Sequence, residues 1–206
     1  MKSARFTLAA AALVVAVASA GFAPQAGARV QEKLTSSHGV PFAVVNPDVP
    51  GISNFAEIEP GLSRGGHPSD EGIDYLRSHH YRTVVAFWTG KGEREKLAAA
   101  GIALVELPMR AGLFSADPPT KTQLDEFLKV ASDPARRPLF FHCRRGRDRT
   151  GAMAAIYRME RQAWRRSDAV EEMKAFGFST HYKKLLNFVA AYPDAGANAP
   201  GGAPGD

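Results

Sequence analysis

The chain predicts an α/β domain: a central, mostly parallel sheet of four to five strands flanked by helices. Three observations lead there. Apolar runs of strand length alternate with segments of helical period, and capping residues and glycines fall at the seams between them. The 206 residues are 45% hydrophobic and 23% charged, enough for one sizeable core and typical of a single globular domain.

The elements follow in order. The apolar runs from Glu57 to Ser63, Thr83 to Trp88, Ala103 to Leu107 and Leu139 to His142 read as strands. Ser69-Asp70-Glu71 caps a helix through Ser78, and Gly90-Lys91-Gly92 precedes another from Glu93 to Ala100. Thr120 caps a longer helix through Ala131 that carries Leu124, Phe127 and Leu128 on one face, and Pro118 and Pro119 fix its approach. Three more helices are expected: Thr150 to Trp164, Asp168 to Phe176 started by Ser167, and Thr180 to Ala191. Gly101 and Gly177 stand where helix C-caps belong.

Outside the domain, which is expected over 46–192, the ends differ in composition. Residues 1–23 combine Lys2 and Arg5 with an apolar stretch from Phe6 to Ala18 and then Ala18-Ser19-Ala20, the pattern of a secretory signal peptide. The apolar stretch is short for a membrane span, so no stable span is expected once the leader is removed; a retained anchor is the alternative. Residues 24–45 read as a linker, and 193–206, rich in Gly, Ala and Pro, as a disordered tail. Export implies a periplasmic or secreted protein.

The formal charge of +5 falls to +3 when Lys2 and Arg5 leave with the leader, so overall basicity is mild. It is concentrated instead in ten arginines between Arg136 and Arg166. That pattern suits a local anion-binding surface; no aromatic platform or motif supports nucleic-acid binding. The single cysteine, Cys143, cannot form an internal disulfide and must be free.

Cys143 sits in His142-Cys143-Arg144-Arg145-Gly146-Arg147-Asp148-Arg149-Thr150-Gly151, directly after the apolar run Pro138-Leu139-Phe140-Phe141. A buried strand would deliver the thiol to its C-terminal end. A Gly-containing turn would then expose backbone N–H groups, and a helix starting near Arg149 would point its positive end into the turn. Oxyanions bind such a turn, and a thiol inside it ionises. Free cysteine, with a pKa of about 8.5, is only about 3% thiolate at pH 7, so full ionisation gains about thirtyfold in nucleophile. Phosphate-ester cleavage needs far more, which must come from positioning and charge stabilisation of the transferring phosphoryl group.

Arg149 suits that task, because its planar guanidinium can hold two phosphoryl oxygens at once. The loop from Arg144 through Arg145, Gly146, Arg147 and Asp148 supplies N–H groups for the third oxygen and for the thiolate. Thr150 either donates its hydroxyl to the sulfur or only caps the helix. Gly146 allows a positive φ. His142 should point away from Cys143 and hold the turn through loop backbone; it has no ligand-spaced partner, so no metal is assigned to it. Asp117, in the loop ending Asp117-Pro118-Pro119, is either the proton donor to the leaving group or a turn residue. Asp148 is a second acid candidate, although among arginines it should stay ionised in a salt bridge.

The segment from His142 to Gly151 matches H-C-x-x-G-x-x-R-[ST]-G at every fixed position, and the chain resembles the protein tyrosine and dual-specificity phosphatase superfamily. Pro60-Gly61-Leu62-Ser63-Arg64-Gly65-Gly66-His67-Pro68-Ser69, the strand at Thr83 and the Pro108-Met109 turn are similar to compact bacterial members and to inositol-pyrophosphate phosphatases. The resemblance implies the cysteine-phosphatase fold and a two-step mechanism without metal or other cofactor. Cys143 is then the nucleophile, Arg149 the phosphate ligand and a loop Asp the acid and then base. The family commonly has Tyr before the Arg64 position and Gln at His67. Arg144, Arg145 and Arg147 make the loop resemble those of lipid- and inositol-phosphate-cleaving members, unless they pair with Asp148, Glu160 or Glu171. The expected activity is hydrolysis of phosphate monoesters in a phosphorylated protein of the phosphotyrosine type, a phosphoinositide or an inositol phosphate. An inactive phosphate-binding adaptor of the same fold is the alternative.

Overall fold

The computed structural model describes residues 35–113 and 115–193; the expected leader and nearly all of the expected tail lie outside them. Five strands form one sheet in the order β1-β2-β5-β3-β4: β1 (Ala56–Glu59), β2 (Leu62–Gly66), β3 (Thr83–Ala86), β4 (Ala103–Glu106) and β5 (Leu139–Cys143). Only the β1–β2 pair is antiparallel. The helices are α1 (Asp70–Ser78), α2 (Glu93–Ala99), α3 (Lys121–Ser132), α4 (Asp148–Gln162), α5 (Arg166–Ala175) and α6 (Lys183–Ala190).

Strand β5 is central and buried along its whole length, with β2 on one side and β3 on the other. Its side chains alternate as a strand requires. Leu139, Phe141 and Cys143 join the larger core under α3 to α6, while Phe140 joins the smaller core with Ile73, Leu76 and Leu97. Fully burying either phenylalanine contributes about 2–3 kcal/mol, so a one-residue slip of β5 would cost both cores together.

The single strand expected from Glu57 to Ser63 is a hairpin. Pro60 cannot donate a ladder hydrogen bond, and Gly61 takes φ 76°, so the chain reverses there and Glu57 accepts the Gly61 N–H at 2.8 Å. The start of α5 is also earlier than expected: Arg165 occupies the N-cap and Ser167 lies in the first turn without a capping bond. The last helix begins at Lys183, after a turn over Thr180 to Tyr182. Thr120 meets the expectation fully, closing a reciprocal capping box with Gln123.

The far end of the expected linker is docked instead. Ser37 donates twice to Glu171, both at 2.7 Å, and Phe42 is buried and stacked on Trp164. Ala43 N–H donates to Glu172 at 2.9 Å. That same carboxylate takes two hydrogen bonds from Arg158, at 2.6 and 3.0 Å, in a buried pair tying α5 to α4. No helix among the described residues is long and apolar enough to cross a membrane.

Candidate active site

The C-terminal end of β5 is where the chemistry gathers. β5 ends at Cys143, which is 2% exposed, and the chain then turns through Arg144 to Arg147 into α4. Gly146 takes φ 68°, and a Cβ there would stand 2.4 Å from the Gly65 carbonyl carbon. Glycine is therefore required twice over, by conformation and by the close approach of β2. Gly66 serves the same contact from the other side, since its own Cβ would meet Ser53 Oγ at 2.4 Å and the Arg145 carbonyl carbon at 3.3 Å.

The Cys143 thiol is held below its ordinary pKa. Burial pushes it upward, but the Thr150 hydroxyl and N–H, the Arg149 guanidinium and the Arg145 N–H together outweigh that and favour the thiolate. The Thr150 hydroxyl has one proton and two acceptors in reach. Its approach to the Gly65 carbonyl is long, at 3.4 Å, so the sulfur, once it is a thiolate, is the better acceptor.

Arg149 is nearly buried and donates to the Met109 carbonyl at 3.1 Å, which fixes its guanidinium against the turn after β4. Together with Trp88, Leu113 and Tyr182, the residues Cys143, Arg144, Arg145 and Arg149 line a cleft of about 390 Å³. The Arg144 guanidinium lies 6.0 Å over the Trp88 ring. A larger opening of about 970 Å³ lies at the other end of β5, against the β1–β2 hairpin, and contains none of these groups.

The remaining expected residues divide. Asp148 borders the cleft, but it makes no ion pair among the described residues; its carboxylate accepts the Ser179 N–H at 2.8 Å, joining the start of α4 to the turn after α5. Arg147 lies against Gly177 and outside the cleft wall. Neither Arg144, Arg145 nor Arg147 pairs with a carboxylate among the described residues, because Glu171 is taken by Ser37 and Glu160 by Arg161 and Tyr192. Asp117 stands beside the cleft and not in its wall. Its N–H donates to Arg110 at 2.9 Å, and its carboxylate is 3.9 Å from Lys184 Nζ.

His142 points away from Cys143, as strand alternation requires, but it does not hold loop backbone. It faces Glu93, with Nε2 2.8 Å from one carboxylate oxygen, while His67 Nε2 is 3.2 Å from the other. These are ion-pair approaches without aligned hydrogen bonds. Gly90 N–H donates to the same carboxylate at 2.7 Å. Burial would raise the Glu93 pKa, yet the two imidazoles and the Gly90 N–H bring it down to about 2. His67 also stands edge-on to Trp88, with ring centroids 5.3 Å apart. Glu93, Asn54 and Tyr182 were not singled out by their spacing; only the fold brings them here. Asn54 at φ 57° carried a weak signal, lying in a short polar turn just before an apolar strand.

A buried strand ending in a thiol whose surroundings favour the thiolate, a glycine-turned loop and an arginine at the next helix start define a cysteine-dependent phosphatase. Residues 42–188 match the family described as "PTP-NADK: DSP-PTPase phosphatase fused to NAD+ Kinase", and the chain belongs to this phosphatase family. Inositol diphosphatase DSP3 of Arabidopsis thaliana is 30% identical over 143 residues, 68% of this chain and 70% of that protein. Dual specificity protein phosphatase TpbA of Pseudomonas aeruginosa is 31% identical over 125 residues, and the match spans only 55% of its length. The crystal structure of TpbA superposes with a TM-score of 0.62 at 27% identity, covering 75% of this chain and 92% of that one. A cysteine-to-serine form of TpbA in complex with pTyr superposes at 0.61 and 26% identity, covering 75% and 91%.

Proposed function

We propose that the chain hydrolyses inositol phosphates through a phosphocysteine, with Cys143 attacking phosphorus, Arg149 and the loop N–H groups holding the phosphoryl oxygens, and Thr150 assisting the sulfur as it leaves. Asp117, beside the cleft, gives the leaving oxygen its proton. The observation that carries the substrate class is the pair Arg144 and Arg145. Both are exposed in the cleft wall, neither is paired among the described residues, and a second phosphoryl group beside the scissile one would meet them. The similarity to an inositol diphosphatase points the same way.

A phosphotyrosine-type protein is the second reading. Trp88, Tyr182 and Leu113 form an apolar side to the cleft that would suit an aryl group, and TpbA has been captured with pTyr. Export to the periplasm or beyond, on the strength of the leader composition, completes the proposal.

The test is phosphate release by purified protein without added metal, from inositol polyphosphates, phosphoinositides and phosphotyrosine peptides. Inositol polyphosphates should show kcat/KM at least about tenfold above the peptides, and Arg145→Ala should narrow that ratio. A preference for peptides that survives Arg145→Ala would replace the first reading with the second. Cell fractionation, with the mature N-terminus read by mass spectrometry, tests export.

A further inference from the structure

Among the described residues Arg64 is the largest side chain with no solvent exposure, and the catalytic steps above make no use of it. Leu62 to Gly66 of β2 run beside β5, so Arg64 lies next to Phe141 and two residues short of the Gly66–Cys143 pair. Its side chain passes behind the catalytic loop. One terminal nitrogen donates to the Gly146 carbonyl at 2.8 Å, and the guanidinium lies 3.9 Å from the centre of the Phe176 ring. Nε and the other terminal nitrogen have no hydrogen-bond partner.

That arrangement is poor for stability. Buried guanidinium nitrogens without partners cost free energy, and an apolar chain of similar volume is often neutral or better in such a place. No carboxylate stands at ion-pair distance among the described residues, since Glu172 is engaged by Arg158. The residue therefore needs an explanation other than holding the core together.

The loop supplies one. Besides Arg64, Asn54 Nδ2 donates to the same Gly146 carbonyl at 2.9 Å and to Phe176 at 3.1 Å. Two side-chain donors thus draw one loop carbonyl back toward β2. In a planar trans peptide the following N–H points the opposite way, so fixing this carbonyl aims the Arg147 N–H to the other side, toward the cleft. We propose that Arg64 is a positioning residue of the phosphate-binding loop, which turns the Gly146 peptide and sets a fixed positive charge behind Cys143. Burial lowers the Arg64 pKa to about 10, partly offset by Glu172 and Cys143, with Arg158 acting in the same direction as burial; the group stays charged at neutral pH. The groups facing it are thus Glu172 from α5, Arg158 from α4 and Cys143 from β5, and those facing the thiol itself are Arg149, Thr150 and the Arg145 N–H.

The inference rests on Cys143 being the nucleophile, and its test separates the two claims. The thiol is unique in the chain, so its titration can be followed directly by iodoacetamide alkylation rate against pH. Arg64→Met and Arg64→Gln are both prepared, with urea unfolding measured beside kcat and KM. In a folded neutral variant the thiol titration should move up by about one unit, a tenfold smaller thiolate fraction on the acid side, and kcat should fall by about tenfold or more while the urea midpoint is kept or raised. Arg64→Lys, which keeps the charge and loses the fork, should recover the titration and leave kcat reduced. A thiol titration unchanged in a folded neutral variant would overturn the proposal. So would failure of both neutral variants to fold, because Arg64 would then serve the core. Turnover retained in Cys143→Ser would sink the nucleophile assignment instead, and leave the titration to judge Arg64 by itself.

Discussion

Glu93 stands 2.8 Å from His142, the residue immediately before Cys143, although the two are far apart in sequence. Through its other oxygen it reaches His67, which packs on Trp88, and Trp88 in turn carries Arg144. One carboxylate at the start of α2 thus braces both the strand that delivers the thiol and the wall that would meet the rest of the substrate.

Replacing Glu93 by Gln should therefore lower both stability and activity. The sign of its pH dependence follows from the direction of the shift: the folded pKa is brought from 4.5 down to about 2, so the carboxylate's contribution is fully present above about pH 4.5 and is lost as pH falls toward 2. Urea midpoints measured from pH 7 to pH 2 should show wild type above Glu93→Gln at neutral pH and the two converging in acid. A constant gap across that range would show that the charge is irrelevant to the effect.

Thr150 offers a narrower test of how the thiol is ionised. Thr150→Ala removes the hydroxyl and leaves the backbone N–H that also favours the thiolate, so the Cys143 titration should rise only part of the way back to an ordinary thiol. If the hydroxyl also assists departure of the sulfur, pre-steady-state kinetics should show a burst of released leaving group followed by slow hydrolysis, with phosphate trapped on the enzyme. A uniform slowing of both phases would leave Thr150 a packing residue against β2, since α4 is capped at Arg147 and Thr150 already lies inside its first turn.

Much of this site is legible in the sequence, and the reason is local. Strand, turn, arginine and helix start are consecutive residues from Pro138 to Gly151, so short-range geometry decides how they meet. The supports behind the loop are different. Asn54 and Glu93 reach it only through sheet order and helix packing, and neither their spacing nor their type marks them in one dimension. Arg64 stands out in its Gly-flanked turn as a residue to hold a loop or reach substrate, but that its partner is the Gly146 carbonyl and not a carboxylate comes only from the fold. The hairpin at Pro60-Gly61 was visible as a turn signal but masked by the apolar run around it. The docking of Ser37 and Phe42 is hidden in one dimension because residues 24–45 have the composition of a linker.

One contact of that docked segment, at Ala43, rests on a buried carboxylate. Glu172 takes two hydrogen bonds from Arg158 and one from the Ala43 N–H, and both charged partners are nearly buried. Removing one member of such a pair leaves the other desolvated without a counter-charge, which costs about 3–5 kcal/mol. Glu172→Ala should accordingly show a large drop in urea midpoint and faster proteolysis near residues 37–43. Replacing Glu172 and Arg158 together by Leu and Met should recover much of the stability. A double variant as unstable as the single one would show that packing, and not the stranded charge, carries the cost.

Asp117 is the residue whose role depends most on motion. It sits outside the cleft wall, loosely paired with Lys184 at 3.9 Å, on a loop held to the start of the last helix by a Tyr182 hydroxyl bond to the Gly112 carbonyl at 3.1 Å. If that loop brings Asp117 over the cleft, Asp117→Asn should slow hydrolysis of an alkyl phosphate by about 10²–10⁴ and leave an activated aryl phosphate much less affected, because only a poor leaving group needs the proton. Lys184→Ala removes the group that competes for the carboxylate in the present loop position. It should leave the chemistry intact and shift loop populations, raising kcat or lowering KM modestly for the alkyl substrate. Equal losses of Asp117→Asn on both substrates would reduce Asp117 to a turn residue before two prolines and send the search for the proton donor to Asp148, whose Ser179 contact would then have to open during turnover.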